Sequence, residues 1–190
     1  QMLAPDRYLD LTAHFKTERD RNVWALLLGS FSTLDRVLTA DDRPLLQRFV
    51  RDRLAQTAQD LGWAPQRDET DLVKELRNDI VRALGTLGDH SDTQHEAAQL
   101  FAAEQDHPGT VDPNLLPALV SILAFTGDET RYEEFVQRFR KAPTPQEERR
   151  FLYALAAFRS SQLLKRTLEK TLNGEIRTQD TDQGTSIAWD

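Results

Sequence analysis

The residues that come nearest to a metal-binding motif are 95–99, which read His-Glu-Ala-Ala-Gln. A zinc site of this kind needs histidine at both ends, because residues four apart share a helix face and both ligands are imidazole nitrogens. Gln99 supplies a neutral amide instead, and the other histidines have no partner at ligand spacing. We interpret His95 as part of a solvated helix start and predict no metal site in this chain.

Adjacent carboxylates occur at residues 41–42, 133–134 and 147–148. General acid–base catalysis needs two carboxyl groups that face one reacting atom, whereas neighbours on a helix point about 100° apart. We place these pairs at helix starts, where the helix dipole favours negative charge. No serine lies in a Gly-x-Ser-x-Gly turn, and the 8 glycines are scattered rather than gathered in a phosphate-binding loop. The chain by itself presents no catalytic constellation.

Length and composition exclude further classes of protein. A chain of 190 residues can bury a hydrophobic core without a metal or a disulfide. It contains no cysteine, which excludes a disulfide scaffold, a cysteine-ligated metal centre and a thiol nucleophile. The net charge of −7 argues against nucleic acid as the main partner. No apolar run approaches the roughly 20 residues that a membrane helix requires.

Basic residues cluster at 138–141 and 165–166. We place both clusters in the last turns of helices, where cations oppose the negative end of the dipole. A solvated helix face is the favoured interpretation of these clusters. A basic concave patch that binds an acidic partner is the alternative.

The hydrophobic pattern is helical almost throughout. Leu72, Leu76, Ile80, Leu84 and Leu87 recur at steps of three and four residues, which trace one helix face. The pattern predicts an all-α fold of eight or nine helices, near residues 6–16, 18–38, 41–61, 69–87, 92–106, 113–126, 129–141, 145–158 and 160–173.

Several residues mark the expected ends of these helices. Asp112 before a proline predicts an N-cap, and Thr144 followed by Pro-Gln-Glu predicts a capping box. Four glycines follow apolar helical runs, and we expect them in the left-handed conformation that ends a helix; they are Gly62, Gly88, Gly127 and Gly174.

A repeat becomes visible when helix ends are aligned. Residues 80–89, 119–128 and 151–160 match at their apolar positions, at intervals of roughly 30 to 40 residues. Each copy ends a helix, turns and starts a second helix. This predicts a curved array of antiparallel helical hairpins, an α-solenoid of the HEAT or armadillo type. Ordinary helix–turn–helix joints in an irregular bundle are the alternative. We treat residues 1–190 as one helical-repeat domain.

An ordered set of segments resembles the C-terminal helical domain of M1-family zinc aminopeptidases, the relatives of aminopeptidase N and of the puromycin-sensitive and endoplasmic-reticulum aminopeptidases. The first segments are 8–11 and 18–24, which contains Glu18 and Trp24. The others are Leu-Gly-Trp-Ala-Pro at 61–65, residues 82–89, Thr-Pro-Gln-Glu at 144–147 with 152–156, and 174–180. Their order and rough spacing agree over nearly the whole chain.

One departure from the family pattern lies near the C-terminus. Only a few residues separate Asp180 from residues 187–190, where the family has a further helix. The first methionine of the sequence is also the second residue, Met2, after Gln1. We therefore expect an incomplete piece of a larger C-terminal domain, either with a shortened segment or with residues missing from it.

The resemblance implies an accessory role in an enzyme. In the family an upstream domain holds zinc through His-Glu-x-x-His and a later glutamate, and a Gly-x-Met-Glu-Asn segment binds the free amine of the peptide. This chain has neither motif. The resemblance implies a domain that walls the substrate chamber, is inactive alone and takes no cofactor itself. Its partners would be the catalytic domain of the same polypeptide and peptide substrates.

The family match also suggests candidate substrate-binding residues, namely Arg177, Thr178 and Gln179. A capped turn after Gly174 is the alternative interpretation of that segment. Trp24 is best interpreted as a core residue of a long buried helix.

Two further hypotheses stay open. The chain could be a free-standing helical-repeat scaffold for a protein partner, which predicts polar outer faces on both terminal helices. It could also be an enzyme in its own right, which the absence of a catalytic constellation disfavours. The lack of cysteine favours a reducing compartment, so we expect a cytoplasmic location.

Overall fold

The computed structural model describes residues 5–15 and 18–173. The chain divides into two compact units, residues 1–118 and 119–190, and each is described by itself. Every regular element within the described ranges is helical. This confirms the predicted all-α class.

The first unit contains five α-helices and one 3₁₀ turn in the described ranges. They are α1 (Pro5–Leu11), the 3₁₀ turn (Thr12–Phe15), α2 (Arg21–Val37), α3 (Arg43–Leu61), α4 (Asp71–Gly85) and α5 (Ser91–Asp106). Helix α6 (Leu116–Thr126) runs across the division between the units. The described part of the second unit continues with α7 (Glu129–Lys141), α8 (Pro145–Leu155) and α9 (Ser161–Leu172). The predicted helices are confirmed, with ends that differ by a few residues.

The core of the first unit forms where α2 packs against α3 and α4. Trp24 and Phe31 of α2 are completely buried, as are Val50 of α3 and Ile80 of α4. The ring of Phe31 meets that of Phe49 edge-on, with centroids 5.4 Å apart. Burial of Trp24 confirms its prediction as a core residue.

The core of the second unit is aromatic. Phe135 of α7 meets Phe151 of α8 edge-on at 5.2 Å and Phe158 at 6.0 Å. Tyr132 also meets Phe158 edge-on, at 5.3 Å. Edge-to-face pairs at these separations are favourable beyond the area that they bury. Helices α7 and α8 and the turn after α8 therefore pack around a cluster of rings.

The three copies of the repeat lie where the pattern placed them. Each ends a helix, α4, α6 or α8, and a short turn leads to the next one, α5, α7 or α9. The matched apolar positions are buried in all three copies; they are Ile80, Leu119 and Phe151, then Val81, Val120 and Leu152, then Leu84, Leu123 and Leu155. The matched positions are thus core positions in each copy, while the repeat of hairpins and the curved array stay a prediction.

The predicted helix ends are confirmed in part. Gly62 has the expected positive φ of 59° and closes α3. The Thr144 hydroxyl accepts from the Glu147 amide at 3.2 Å, as the capping box requires. The prediction at Asp112 is wrong, because its carboxylate caps a turn at Asn114 and α6 begins at Leu116.

The prediction of left-handed backbone at Gly88 and Gly127 is wrong as well. Neither has a positive φ, and beside Gly88 it is Asp89 that does, at 43°. Both glycines are needed for space. A Cβ would lie 2.7 Å from the Leu84 carbonyl oxygen at Gly88 and 2.6 Å from that of Leu123 at Gly127. Gly174 lies outside the described residues.

No helix in the described part of the chain is both long and apolar enough to cross a lipid bilayer.

Candidate functional site

The predicted substrate-binding residues Arg177, Thr178 and Gln179 lie outside the described residues. Their role therefore stays a prediction. The site residues that the structure does describe are the metal-like motif, the paired carboxylates and the basic clusters.

The His-Glu-Ala-Ala-Gln motif lies in α5 with His95 and Gln99 exposed to solvent. His90 has a different role, since its Nδ1 accepts from the Thr93 amide at 3.4 Å and so caps the helix. Within residues 5–15 and 18–173, no three histidine, aspartate or glutamate side chains come together to hold a metal ion.

The carboxylates at 133–134 diverge, as their spacing predicted. Glu133 forms an ion pair with Arg166 of α9, whereas Glu134 accepts from Arg138 at 2.8 Å and from Arg131. Their predicted place at a helix start is wrong, because both lie in the second turn of α7. Each carboxylate is held by arginine, so the pair does not converge on a common reacting atom.

Arg166 also departs from its predicted place in a last helical turn, since it lies in the middle of α9. Its guanidinium donates to Glu129 at 2.8 Å and to Glu133, and it stacks on the Tyr132 ring at 5.0 Å. The hydrogen bond with Glu133 raises the pKa of Arg166 above its ordinary value. This cation joins α7 to α9, which is a structural role rather than a free basic patch.

A groove of about 580 Å³ runs along this junction between the starts of α7 and α9. Its lining carries both signs of charge, with Asp128 and Glu129 on the α7 side and Lys165, Arg166 and Glu169 on α9. Its groups are not arranged for proton transfer, because the carboxylates that meet Arg166 are already paired.

A second groove of about 440 Å³ lies between α2 and α4 in the first unit. Arg21 crosses it, with contacts of 3.0 Å to Glu75 and 3.1 Å to Asp79. Ala25 and Gly29 leave space along the α2 side. The ion pairs hold the two helices at this distance, so the groove is a consequence of their packing.

The segment 18–24 organises the start of α2. Trp24 donates from its indole nitrogen to the Glu18 carbonyl at 3.1 Å, and the Glu18 carboxylate accepts from the amides of Arg19 and Asp20 at 2.7 Å. Asp20 caps the helix by accepting from the Asn22 amide at 2.7 Å. These family-like residues fix how the chain enters α2.

The turn after Leu61 is fixed by a buried arginine of α4. Arg77 is 1% exposed, and it donates from Nε to the Leu61 carbonyl at 3.1 Å. Its Nη2 donates to both carboxylate oxygens of Glu69, at 2.5 and 2.7 Å. These hydrogen bonds lower the pKa of Glu69 below its ordinary value. Arg77 thus ties both ends of the loop 62–70 to α4.

Two of the segments that resemble a known family therefore fix how the chain enters α2 and how it turns after α3. The comparison with known families supports that resemblance. The model of the ERAP1-like C-terminal domain matches residues 1–187. The chain belongs to this family. The family model thus covers almost the whole sequence, including the stretch with Arg177, Thr178 and Gln179.

The chain is similar to several aminopeptidases. Glutamyl aminopeptidase of Bos taurus is 28% identical over 189 residues, which cover 95% of this chain and 19% of that protein. Alanine/arginine aminopeptidase of Saccharomyces cerevisiae is 26% identical, covering 91% of this chain and 21% of that protein. Aminopeptidase M1-A of Oryza sativa is 29% identical, covering 95% of this chain and 22% of that protein. The chain spans about a fifth of the length of these relatives.

Membership in the ERAP1-like C-terminal domain family confirms the resemblance to M1 aminopeptidases. The ion pair between Arg77 and Glu69 was not predicted from the sequence, although two signals were present. Arg77 lies on the apolar face of α4 one position after Leu76, and Glu69 follows the Leu-Gly-Trp-Ala-Pro turn. An arginine on a buried face needs an anionic partner nearby, and Glu69 is close in sequence.

Proposed function

We propose that this chain is the accessory C-terminal domain of a zinc-dependent M1 aminopeptidase, an enzyme that removes N-terminal residues from peptides. The observation that carries the proposal is the match of one family model to residues 1–187. The named relatives, all aminopeptidases, support it. In this proposal the zinc and the catalytic groups belong to an upstream domain of the same polypeptide, and this domain walls the substrate chamber.

The exposed apolar side chains of the first unit support a neighbouring domain. Leu26 and Val37 of α2 are 76% and 74% exposed, and their separation places them on the same side of the helix. Leu45 of α3 is exposed as well. In α1, Leu9 packs against the core while Leu11 is 54% exposed. Apolar side chains on several faces favour a surface that another part of the enzyme covers.

The purified chain provides the first test. It should release no detectable product from fluorogenic leucine or alanine amides, with or without added zinc. Zinc-dependent turnover by the chain alone would contradict the proposal. The coding region upstream should in turn encode His-Glu-x-x-His followed by a glutamate, and its absence would favour a scaffold that binds a protein partner.

The second test concerns Arg177 in the parent enzyme. If Arg177, Thr178 and Gln179 contact the peptide away from its N-terminus, Arg177→Ala should raise KM for a long peptide and leave a single-residue amide unaffected. Arg67→Ala is the matched control, because the Arg67 side chain is 96% exposed in the loop 62–70. Equal effects of both substitutions on long peptides would remove Arg177 from the substrate site.

A further inference from the structure

Asn173 caps the C-terminal end of α9 and is exposed to solvent. Its backbone amide donates to the Glu169 carbonyl at 3.0 Å, and the last residue of the helix is Leu172. The next residue in the sequence is Gly174, so an Asn-Gly pair follows the helix directly. We propose that Asn173 is a site of spontaneous deamidation.

The reaction needs no enzyme and no co-reactant other than water. The backbone nitrogen of the residue after the asparagine gives up its proton and attacks Cγ of the asparagine side chain. A C–N bond forms, the bond from Cγ to Nδ2 breaks, and ammonia leaves behind a five-membered cyclic imide. Water then opens this ring at either carbonyl group, which gives aspartate or isoaspartate. This chemistry makes asparagine a thermolabile residue.

The residue that follows the asparagine controls the rate, because its side chain crowds the attack on Cγ. Glycine has no Cβ and adopts backbone conformations that are closed to other residues, so it hinders the attack least. Of the four asparagines in the sequence, Asn173 is the one that precedes glycine. Gly174 lies outside the described residues, and its residue type is what favours the reaction.

The structure shows a second difference between Asn173 and two of the other asparagines. After Asn22, the Val23 amide donates to a carboxylate at 3.3 Å. After Asn114, the Leu115 amide donates to a backbone carbonyl at 2.9 Å. At both sites the nitrogen that would attack is therefore already held in a hydrogen bond.

Asn78 is held inside helix α4. The residue is half-buried, and its Oδ1 accepts from the Ala118 amide at 2.9 Å. Ring closure at Asn78 would break this hydrogen bond and the helical turn around it, so local opening must come first. Asn173 lies after the last residue of α9, and ring closure there leaves the helix intact.

Deamidation would change the end of α9 in two ways. It adds a negative charge where the helix dipole is already negative, which disfavours the last turn. Isoaspartate also adds a methylene group to the main chain between α9 and the candidate substrate residues Arg177, Thr178 and Gln179. An effect on peptide binding therefore rests on the proposed function, whereas the reaction at Asn173 does not.

Mass spectrometry of the full chain tests the proposal without any measurement of activity. The folded chain is incubated at neutral and at mildly alkaline pH and is then digested with trypsin. Cleavage after lysine and arginine releases Asn173 in peptide 171–177 and Asn78 in the control peptide 78–82. Peptide 171–177 should gain the mass difference between an amide and an acid at least several-fold faster than the control. It should give two separable products, aspartyl and isoaspartyl, and its rate should rise with pH.

A variant and an unfolded control separate the effect of the glycine from that of the fold. Gly174→Val restores a side chain beside the attacking nitrogen and should slow the reaction at Asn173 several-fold. In guanidinium chloride the rate at Asn78 should rise, whereas the rate at Asn173 should change little.

Equal rates at Asn173 and Asn78 in the folded chain would overturn the proposal. A rate at Asn173 that rises on unfolding as much as the rate at Asn78 would overturn it too, because the folded chain would then protect Asn173.

Discussion

The α3–α4 hairpin of the first unit and the helices α7–α9 of the second are held by different chemistry. The hairpin has a long loop, 62–70, and a buried ion pair between Arg77 and Glu69 fixes it. Helices α7 to α9 are joined by shorter turns. Aromatic contacts and a neutral Tyr132–Thr167 hydrogen bond hold them in the interior, and their ion pairs, from Arg166 to Glu129 and Glu133, lie at the surface.

The difference has a physical reason. A long loop loses much conformational entropy when it is ordered, so it needs strong and directional contacts at both ends. Arg77 supplies these contacts, since one guanidinium bonds Leu61 at the start of the loop and Glu69 near its end. Short turns are already restricted by the helices beside them, and ordinary packing is enough there. The two regions should therefore respond differently to substitution and to pH.

The largest expected effect is at Arg77. Arg77→Met keeps most of the side-chain volume but leaves the Glu69 carboxylate, which is 10% exposed, without its partner. Loss of one partner of a buried ion pair costs about 3–5 kcal/mol, so the free energy of unfolding in urea should fall by that amount. Arg67→Met, in the same loop but exposed, is the control and should leave it unchanged within about 0.5 kcal/mol. If Arg77→Met lowered the free energy of unfolding only slightly, the loop 62–70 would not depend on its ion pair, and the contrast with helices α7 to α9 would disappear.

An intermediate effect is expected at the turn between α6 and α7. In Gly127→Ala the new Cβ would lie 2.6 Å from the Leu123 carbonyl oxygen and 2.8 Å from the Phe158 ring. Crowding of a packed site costs about 1–3 kcal/mol, which thermal unfolding followed by circular dichroism can measure.

Two matched variants sharpen this prediction. Gly88→Ala meets the Leu84 carbonyl at 2.7 Å, but its next neighbour is the flexible side chain of Arg51, so it should cost less than Gly127→Ala. Gly29 has no atom within 4 Å of a new Cβ, so Gly29→Ala should stabilise α2 by about 0.5–1 kcal/mol. If Gly88→Ala destabilises the fold more than Gly127→Ala does, the contact with the Phe158 ring is not what makes Gly127→Ala costly.

The smallest expected effect is the difference in how the loop 62–70 and the helices α7 to α9 respond to acid. Because the folded-state pKa of Glu69 is lowered, its ion pair stabilises the fold above the unfolded-state pKa. That stabilisation is lost as the pH falls through the folded-state pKa. The difference in urea midpoint between the unaltered chain and Glu69→Gln should therefore shrink between pH 7 and pH 3, near and below the ordinary glutamate pKa of about 4.3.

Tyr132→Phe is the control in the second unit. It removes a neutral hydrogen bond to Thr167, so its effect on the urea midpoint should stay constant over the same pH range. If the difference in urea midpoint between the unaltered chain and Glu69→Gln also stayed constant over this pH range, protonation of Glu69 would not be linked to the stability of the loop 62–70.

The elements of the fold could be predicted well from the sequence, since each helix follows a local apolar pattern with local caps. Thr144 and Gly62 were predicted correctly for that reason. Asp112 was not, because a turn and a helix start accept the same carboxylate cap. The positions of the basic residues were harder still. Arg166 lies in the middle of α9, where Glu129 and Glu133, far away in sequence, provide its partners.

The candidate site was less predictable than the fold. The exclusion of a catalytic group rested on residue types and spacings, and these are properties of the sequence itself. Arg177, Thr178 and Gln179 were suggested by family resemblance alone, and they lie outside the described residues. The groove along α7 and α9 was not predicted, since its lining combines residues from two helices that the sequence does not bring together.

The amino-acid sequence by itself determined the all-α class and the family, because periodicity, caps and motif order are properties of the chain itself. Tertiary structure alone decided what the motif residues do. Trp24 holds the Glu18 carbonyl and Arg77 holds both ends of a loop. Only packing could assign these roles, since a buried donor is stable only where the fold brings it an acceptor.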